Sequence, residues 1–161
     1  MHTKHHRLDR ERYQGRTCVA FTLCLEGRPQ FFRSNATISV FVESLAKVAK
    51  KYDFCVVHCF MPDHLHLVLL ATADDANPLR GVELFKQLTG YWLKKNHPRI
   101  KWQKSFGDRI LRTNELGPAV RYVLDNPVRR GMVNDWREYP FTGSIGIDLE
   151  ELVADLATNE T

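Results

Sequence analysis

Apolar and polar positions alternate from Thr17 to Leu25, with Val19, Phe21, Leu23 and Leu25 on one side. A period of two predicts a strand. Glu26-Gly27-Arg28-Pro29 breaks it. The period then changes: Ile38, Phe41, Val42, Leu45, Val48 and Ala49 recur at helical spacing behind a cap at Ser34 or Asn35. Glu43, Lys47, Lys50 and Lys51 fall on the outer side of that helix. Phe54 to Leu70 reads as two short strands joined by a tight turn at Met61-Pro62-Asp63. Asn77-Pro78 then starts a second helix, with Val82, Phe85, Leu88 and Trp92 inward and a stop before His97-Pro98. Ile100 to Arg112 reads as a fourth strand, with Gly107 as a point of interruption.

The order is β-α-β-β-α-β. It predicts an α+β, ferredoxin-like fold: a four-stranded antiparallel sheet with two helices on one face. The other face is left for an additional helix, Leu116 to Asn126, whose apolar side is Leu116, Val120, Val123 and Leu124. Tyr122, Asp125 and Asn126 fall on its opposite side, and Pro127 is expected to end it, or to start a short new helix capped by Asn126. Residues 128–147 are expected to wrap the domain edge. Residues 148–161 form an acidic helix or tail, with Leu149, Leu152, Val153 and Leu156 inward. The chain thus divides into a body, 1–147, whose first 16 residues are a solvated basic arm, and this acidic end.

Composition agrees with a soluble globular domain. The 161 residues are 43% hydrophobic and 26% charged, with no run long enough to span a membrane. Four cysteines without Cys-x-x-Cys spacing read as reduced thiols of a cytoplasmic protein. The net charge of +4 hides an asymmetry. Five of the 19 acids lie from Asp148 onward, where there is no Lys or Arg, so the body carries 23 basic against 14 acidic residues. A basic body suits a polyanion such as nucleic acid.

The candidate chemistry begins at His64-Leu65-His66. Alternation puts both imidazoles on one face of a strand and Leu65, Leu67 and Leu69 on the other. That spacing fits a pair of metal ligands and a pair of hydrogen-bonded histidines equally. Tyr122 and Asn126 are four apart, hence neighbours on one helix face. Spacing alone favours a rim tyrosine and a capping asparagine.

Taken together, CFMPDHLHLVLL, WQKSFGDRILR and RYVLDNPVRRG, in that order, resemble the single-tyrosine HUH transposases, in particular the REP-associated tyrosine transposases. The likeness spans about residues 13–145, and its most specific parts are Met-Pro-Asp-His-x-His and Tyr-x-x-x-Asn-Pro-Val. It implies metal-dependent nicking and rejoining of single-stranded DNA at hairpin-forming repeats through a 5′-phosphotyrosine. Tyr122 would be the nucleophile, and His64, His66 and Asn126 the metal ligands. Two imidazoles and an amide oxygen suit Mg²⁺ or Mn²⁺. The family often carries a histidine two residues after the tyrosine, and aromatic or histidine positions in the middle block; here those places hold Leu124, Gly107 and Arg109. DNA contacts are expected from Arg12, Arg16, Lys101, Lys104, Arg112, Arg129 and Arg130. The expected partner is single-stranded DNA with a hairpin, bound by a monomer or homodimer, with no membrane involved. Two other readings remain at this level: a non-catalytic nucleic-acid-binding module of the same fold, and a metal-dependent hydrolase using Asp63 or Asp125.

Overall fold

The structure is a computed structural model that describes residues 10–13 and 15–158. Residues 1–9 of the basic arm lie outside the described residues. The arm's end is anchored rather than solvated: Arg10–Tyr13 forms a short 3-10 turn, Tyr13 is buried, and its hydroxyl donates to Asp108.

The elements follow as β1 (Cys18–Cys24), α1 (Asn35–Tyr52), β2 (Phe54–Met61), β3 (His64–Ala71), α2 (Pro78–Asn96), β4 (Gly107–Leu111), α3 (Leu116–Arg129), β5 (Thr142–Ile145) and α4 (Leu149–Thr158). The sheet order is β4-β1-β3-β2-β5, antiparallel throughout. The ferredoxin-like core is therefore present, and a fifth strand extends it. Thr142–Ile145 pairs with β2, from Cys59↔Thr142 to Val56↔Ile145, so part of the segment expected to wrap the edge adds to the sheet instead. The fourth strand is shorter than the apolar pattern suggested. Residues 100–106 are irregular, held by an isolated bridge between Leu25 and Trp102 and by the Trp102 indole donating to Thr89.

The two periodicities meet in one core. Val19, Phe21, Leu23, Val56, Phe60, Leu65, Leu67 and Leu69 face α1 and α2. Ser34 caps α1 by accepting from Thr37 N–H, and Asp53 closes it in the left-handed region at φ 59°. On α2 the expected inward Leu88 is 41% exposed; Thr89 and Leu93 take the inner positions, because helix rotation is set by which side chains fit Phe85 and Trp102.

The second face is covered by α3, as expected, and by α4. Val57, Cys59, Met61 and Val68 pack under Val120, Val123 and Leu124 of α3 and Leu152 of α4. Full burial of each such aliphatic side chain is worth about 1.5–3 kcal/mol, enough to hold α3 on the sheet. The acidic helix α4 thus docks on its own domain. Tyr139 locks the edge, its buried hydroxyl donating to Phe60 C=O at 2.6 Å. Pro127 does not end α3; the helix runs through it to Arg129, with Asn126 and Pro127 both buried. A proline so close to a helix end removes only one ladder bond, and packing on the sheet outweighs that loss. Among the described residues no helix is long and apolar enough to cross a membrane.

Candidate active site

A two-residue turn, Pro62-Asp63, joins β2 to β3, so that Met61 pairs with His64. Register then fixes the neighbours of both histidines. His64 lies between Cys24 of β1 and Met61 of β2, and His66 between Thr22 and Cys59. Leu65, Leu67 and Leu69 are sunk in the core behind them, so a slip by one residue would bury polar rings among leucines. The histidines are themselves enclosed, 4% and 9% exposed. Helix α3 lies on the same side of the sheet and sets Tyr122 against His66.

Each ring is held from behind. His64 Nδ1 meets Asp63 Oδ1 at 2.6 Å, and Asp63 Oδ2 accepts from Arg28 Nε at 3.0 Å. Thr22 Oγ1 lies 3.3 Å from His66 Nδ1. A carboxylate only accepts, so His64 carries its proton on Nδ1 and presents a lone pair at Nε2. The Nε2 atoms of the two rings face each other at 3.1 Å. Burial lowers the pKa of His64 against the opposing pull of Asp63. Burial, then the neighbouring His64 and the cations Arg129, Arg130 and Arg28, push His66 down to about 3. Both rings are therefore neutral at pH 7, and the Asp63–His64 contact is a hydrogen bond rather than an ion pair. Burial would raise Asp63, but the hydrogen bonds from His64 and Arg28 outweigh it and hold the carboxyl low.

Helix α3 brings the third element. Tyr122 stands on its outer side, 58% exposed, with its ring edge-on to His66 at 6.0 Å between centroids. The Arg129 guanidinium lies 4.0 Å over the Tyr122 ring and donates to Tyr122 C=O, which fixes the ring by stacking and hydrogen bonding together. Asn126, one turn on, is buried to 5% exposure, and its Nδ2 has no hydrogen-bond partner among the described residues. The spacing placed Asn126 opposite the apolar side as a cap. It is neither: Asn126 lies inside α3, which runs on to Arg129, and is buried.

The donor set fits a divalent ion. Two nitrogens each ~2.1 Å from one ion and at right angles stand ~3.0 Å apart, close to the separation seen here. Among the described residues no group of three His, Cys, Asp or Glu could hold a metal, so any third protein ligand among them would be of another type. Asn126, buried in α3 one turn after Tyr122, carries an amide oxygen of that type. The same observation weakens the hydrolase arrangement: Asp63 is spent on Arg28 and His64 Nδ1, and Asp125 is exposed on α3.

The basic residues divide. Arg129 and Arg130 sit at the end of α3, near enough to His66 to depress its pKa. Lys101 and Lys104 instead line a cleft of about 530 Å³ with Lys86 and Lys94 of α2. Arg16 pairs with Asp74, while Arg12 and Arg112 are exposed near the strand ends. Thr22 and Arg28 were missed from sequence. Neither has a motif of its own; only pairing of β1 with β3 brings them to the histidines. A cavity of about 480 Å³ between α3 and β4, shared by His66 and Tyr122, was missed for the same reason.

Known proteins share this fold. The family described as "Transposase IS200 like" matches residues 16–126. A Haemophilus influenzae protein named as a REP-associated tyrosine transposase is 27% identical over 135 residues, 76% of either chain. A solved REP-associated tyrosine transposase bound to a REP hairpin superposes with a TM-score of 0.70 at 21% identity, covering 88% of this chain and 82% of its own. That likeness shows the fold, and the family match spans the strand histidines, the tyrosine and the asparagine alike. The chain belongs to the IS200-like transposase family.

Proposed function

We propose that this transposase cuts and rejoins single-stranded DNA beside a hairpin, with Tyr122 as nucleophile. The observation that carries the reading is an exposed phenol on α3 set edge-on to a buried, neutral histidine pair. The hairpin partner is supported by the solved relative, which is bound to one. In the forward step a bond forms between Tyr122 Oη and the scissile phosphorus, and the bond to the 3′-oxygen breaks. The phenolic proton leaves to water and the 3′-oxygen gains one, giving a 5′-phosphotyrosine and a free 3′-hydroxyl. The reverse attack by a 3′-hydroxyl rejoins the strand without a nucleotide cofactor.

His64, His66 and Asn126 would hold Mg²⁺ or Mn²⁺, and the bound ion would polarise the phosphate and stabilise the leaving oxygen. The chain's own residues do the rest. Asp63, with Arg28 behind it, and Thr22 aim the two Nε2 lone pairs at one point. Arg129 orients the Tyr122 ring, and Arg129 with Arg130 supplies positive charge for the DNA phosphates. Arg12, Arg16, Lys101, Lys104 and Arg112 extend phosphate binding along the body. Residues 1–147 form the catalytic unit, acting in the cytoplasm.

Tyr122→Phe tests the mechanism. The lost hydroxyl is at an exposed position, so stability should change by less than about 0.5 kcal/mol. Cleavage of 3′-labelled hairpin DNA should vanish, along with the slow protein-linked band on a denaturing gel. Cleavage by wild type without that band would support the hydrolase reading, and undiminished cleavage by Tyr122→Phe would end the tyrosine mechanism.

A further inference from the structure

The cavity between α3 and β4 is not used by the chemistry just described, although it opens beside it. Its volume is about 480 Å³, and Ala20, Pro118, Ala119 and Val123 provide apolar walls. Thr22, His66, Asp108, Arg109 and Tyr122 supply its polar lining. The Arg109 side chain is 60% exposed, and its Nη2 is 3.5 Å from Glu115 Oε2. An exposed pair this long is worth little, so the guanidinium is free to exchange that carboxylate for another acceptor.

We infer that this cavity receives one unstacked base flanking the scissile phosphate, and that Arg109 selects guanine there. The inference rests on the tyrosine reading above for its location and on the cavity's own chemistry for its ligand. A slot with apolar walls and a few polar groups, Arg109 the cation among them with His66 neutral, suits a planar ring whose polar atoms lie on its edge. Because Tyr122 and His66 line the same space, a nucleotide whose phosphate meets Tyr122 Oη brings an adjoining base to the opening. Proteins that bind single strands stack such bases on aromatic faces, and the Tyr122 ring, with Arg129 over one face, lines the same cavity. Arginine makes two parallel hydrogen bonds to guanine O6 and N7, and adenine, with an amino group in place of O6, cannot accept both. The register places Arg109 opposite Ala20, so the reading group and the floor of the slot belong to one strand pair.

Two measurements separate this proposal from the mechanism it rests on. In the first, the methyl resonances of Ala20 and Ala119 are followed on adding dGMP, dAMP, dCMP or dTMP to the full chain. We expect dGMP to shift both methyls at concentrations up to about 10 mM, in the range of weak single-nucleotide binding. Affinity for dGMP should exceed that for dAMP, and fall roughly tenfold in Arg109→Ala. No shift of either methyl, or equal shifts by all four nucleotides in wild type, overturns the proposal whatever the cleavage result. In the second, hairpin oligonucleotides with randomised single-stranded flanks are incubated with wild type, and the protein-linked strands are sequenced. Guanine should be enriched about tenfold at one flanking position, and Arg109→Ala should still form adducts without that enrichment. Enrichment that persists in Arg109→Ala also overturns the proposal. Absence of any adduct, with the methyl shifts intact, overturns the tyrosine mechanism and leaves the base slot standing.

Discussion

Metal affinity should depend on Asp63, a residue that never touches the ion. Its carboxylate accepts a hydrogen bond from His64 Nδ1–H at 2.6 Å and is braced by Arg28 at 3.0 Å. Asp63→Ala removes the acceptor and leaves a buried Nδ1–H with no partner. The ring then loses both its orientation and the proton placement that keeps Nε2 free. Deleting a carboxylate behind a ligating histidine lowers metal affinity by about 10- to 100-fold, or about 1.4–2.7 kcal/mol. Asp63→Asn keeps an acceptor of the same shape without the charge, so its loss should be smaller, at most about tenfold. Titration calorimetry with Mn²⁺ at pH 7.5 reads these values directly. Asp74→Asn is the control, because Asp74 is exposed and, among the described residues, pairs only with Arg16. Nitrogen-15 shifts of the imidazole rings in the metal-free protein supply a second readout: the His64 Nδ1–H form should dominate in wild type and lose its dominance in Asp63→Ala. Mn²⁺ affinity within twofold of wild type in Asp63→Ala would refute the reasoning, since the hydrogen bond would then have no part in presenting Nε2.

Other outcomes follow from residues outside the site. His58 is buried, its Nδ1 lacks a partner, and burial pushes its pKa down to about 4. A depressed histidine favours the fold fully above pH 6.5 and loses that contribution as pH falls toward 4. Urea titrations at pH 7.5 and 4 should therefore show wild type losing about 3 kcal/mol more than His58→Phe, and equal losses would contradict this. In Gly81→Ala the new Cβ would stand 2.6 Å from Phe54 Cζ and nearer still to Cε2, inside the core. Overpacking costs about 1–3 kcal/mol, offset by about 1 kcal/mol of helix propensity, so the melting temperature should fall by a few degrees. If Arg129 and Arg130 contact phosphates, the double alanine variant should flatten the slope of log K against log salt by about 1.4 for single-stranded DNA.

How much of this was legible beforehand depends on the range of each interaction. The alternation Val19, Phe21, Leu23 and the helical repeat Ile38, Phe41, Leu45 are short-range patterns, and they determined the strands, the helices and the ferredoxin-like order. The same local rule put His64 and His66 on one face, and likeness to a family supplied roles for them and for Tyr122. Local rules failed where packing competes with propensity. Pro127 signalled a helix end, yet the apolar underside of α3 carries the helix past it. Leu88 matched the helical period but lost the inner position to Thr89, which the Trp102 indole needs as its partner. Four residues at Thr142 carried too little pattern to announce a fifth strand; the free edge of β2 recruited them. Only the tertiary structure decided that Thr22, 44 positions from His66, and Arg28, 35 from Asp63, would brace the histidines. Those contacts come from strand register and from the loop after β1, and no local periodicity encodes which side chains two distant strands bring face to face.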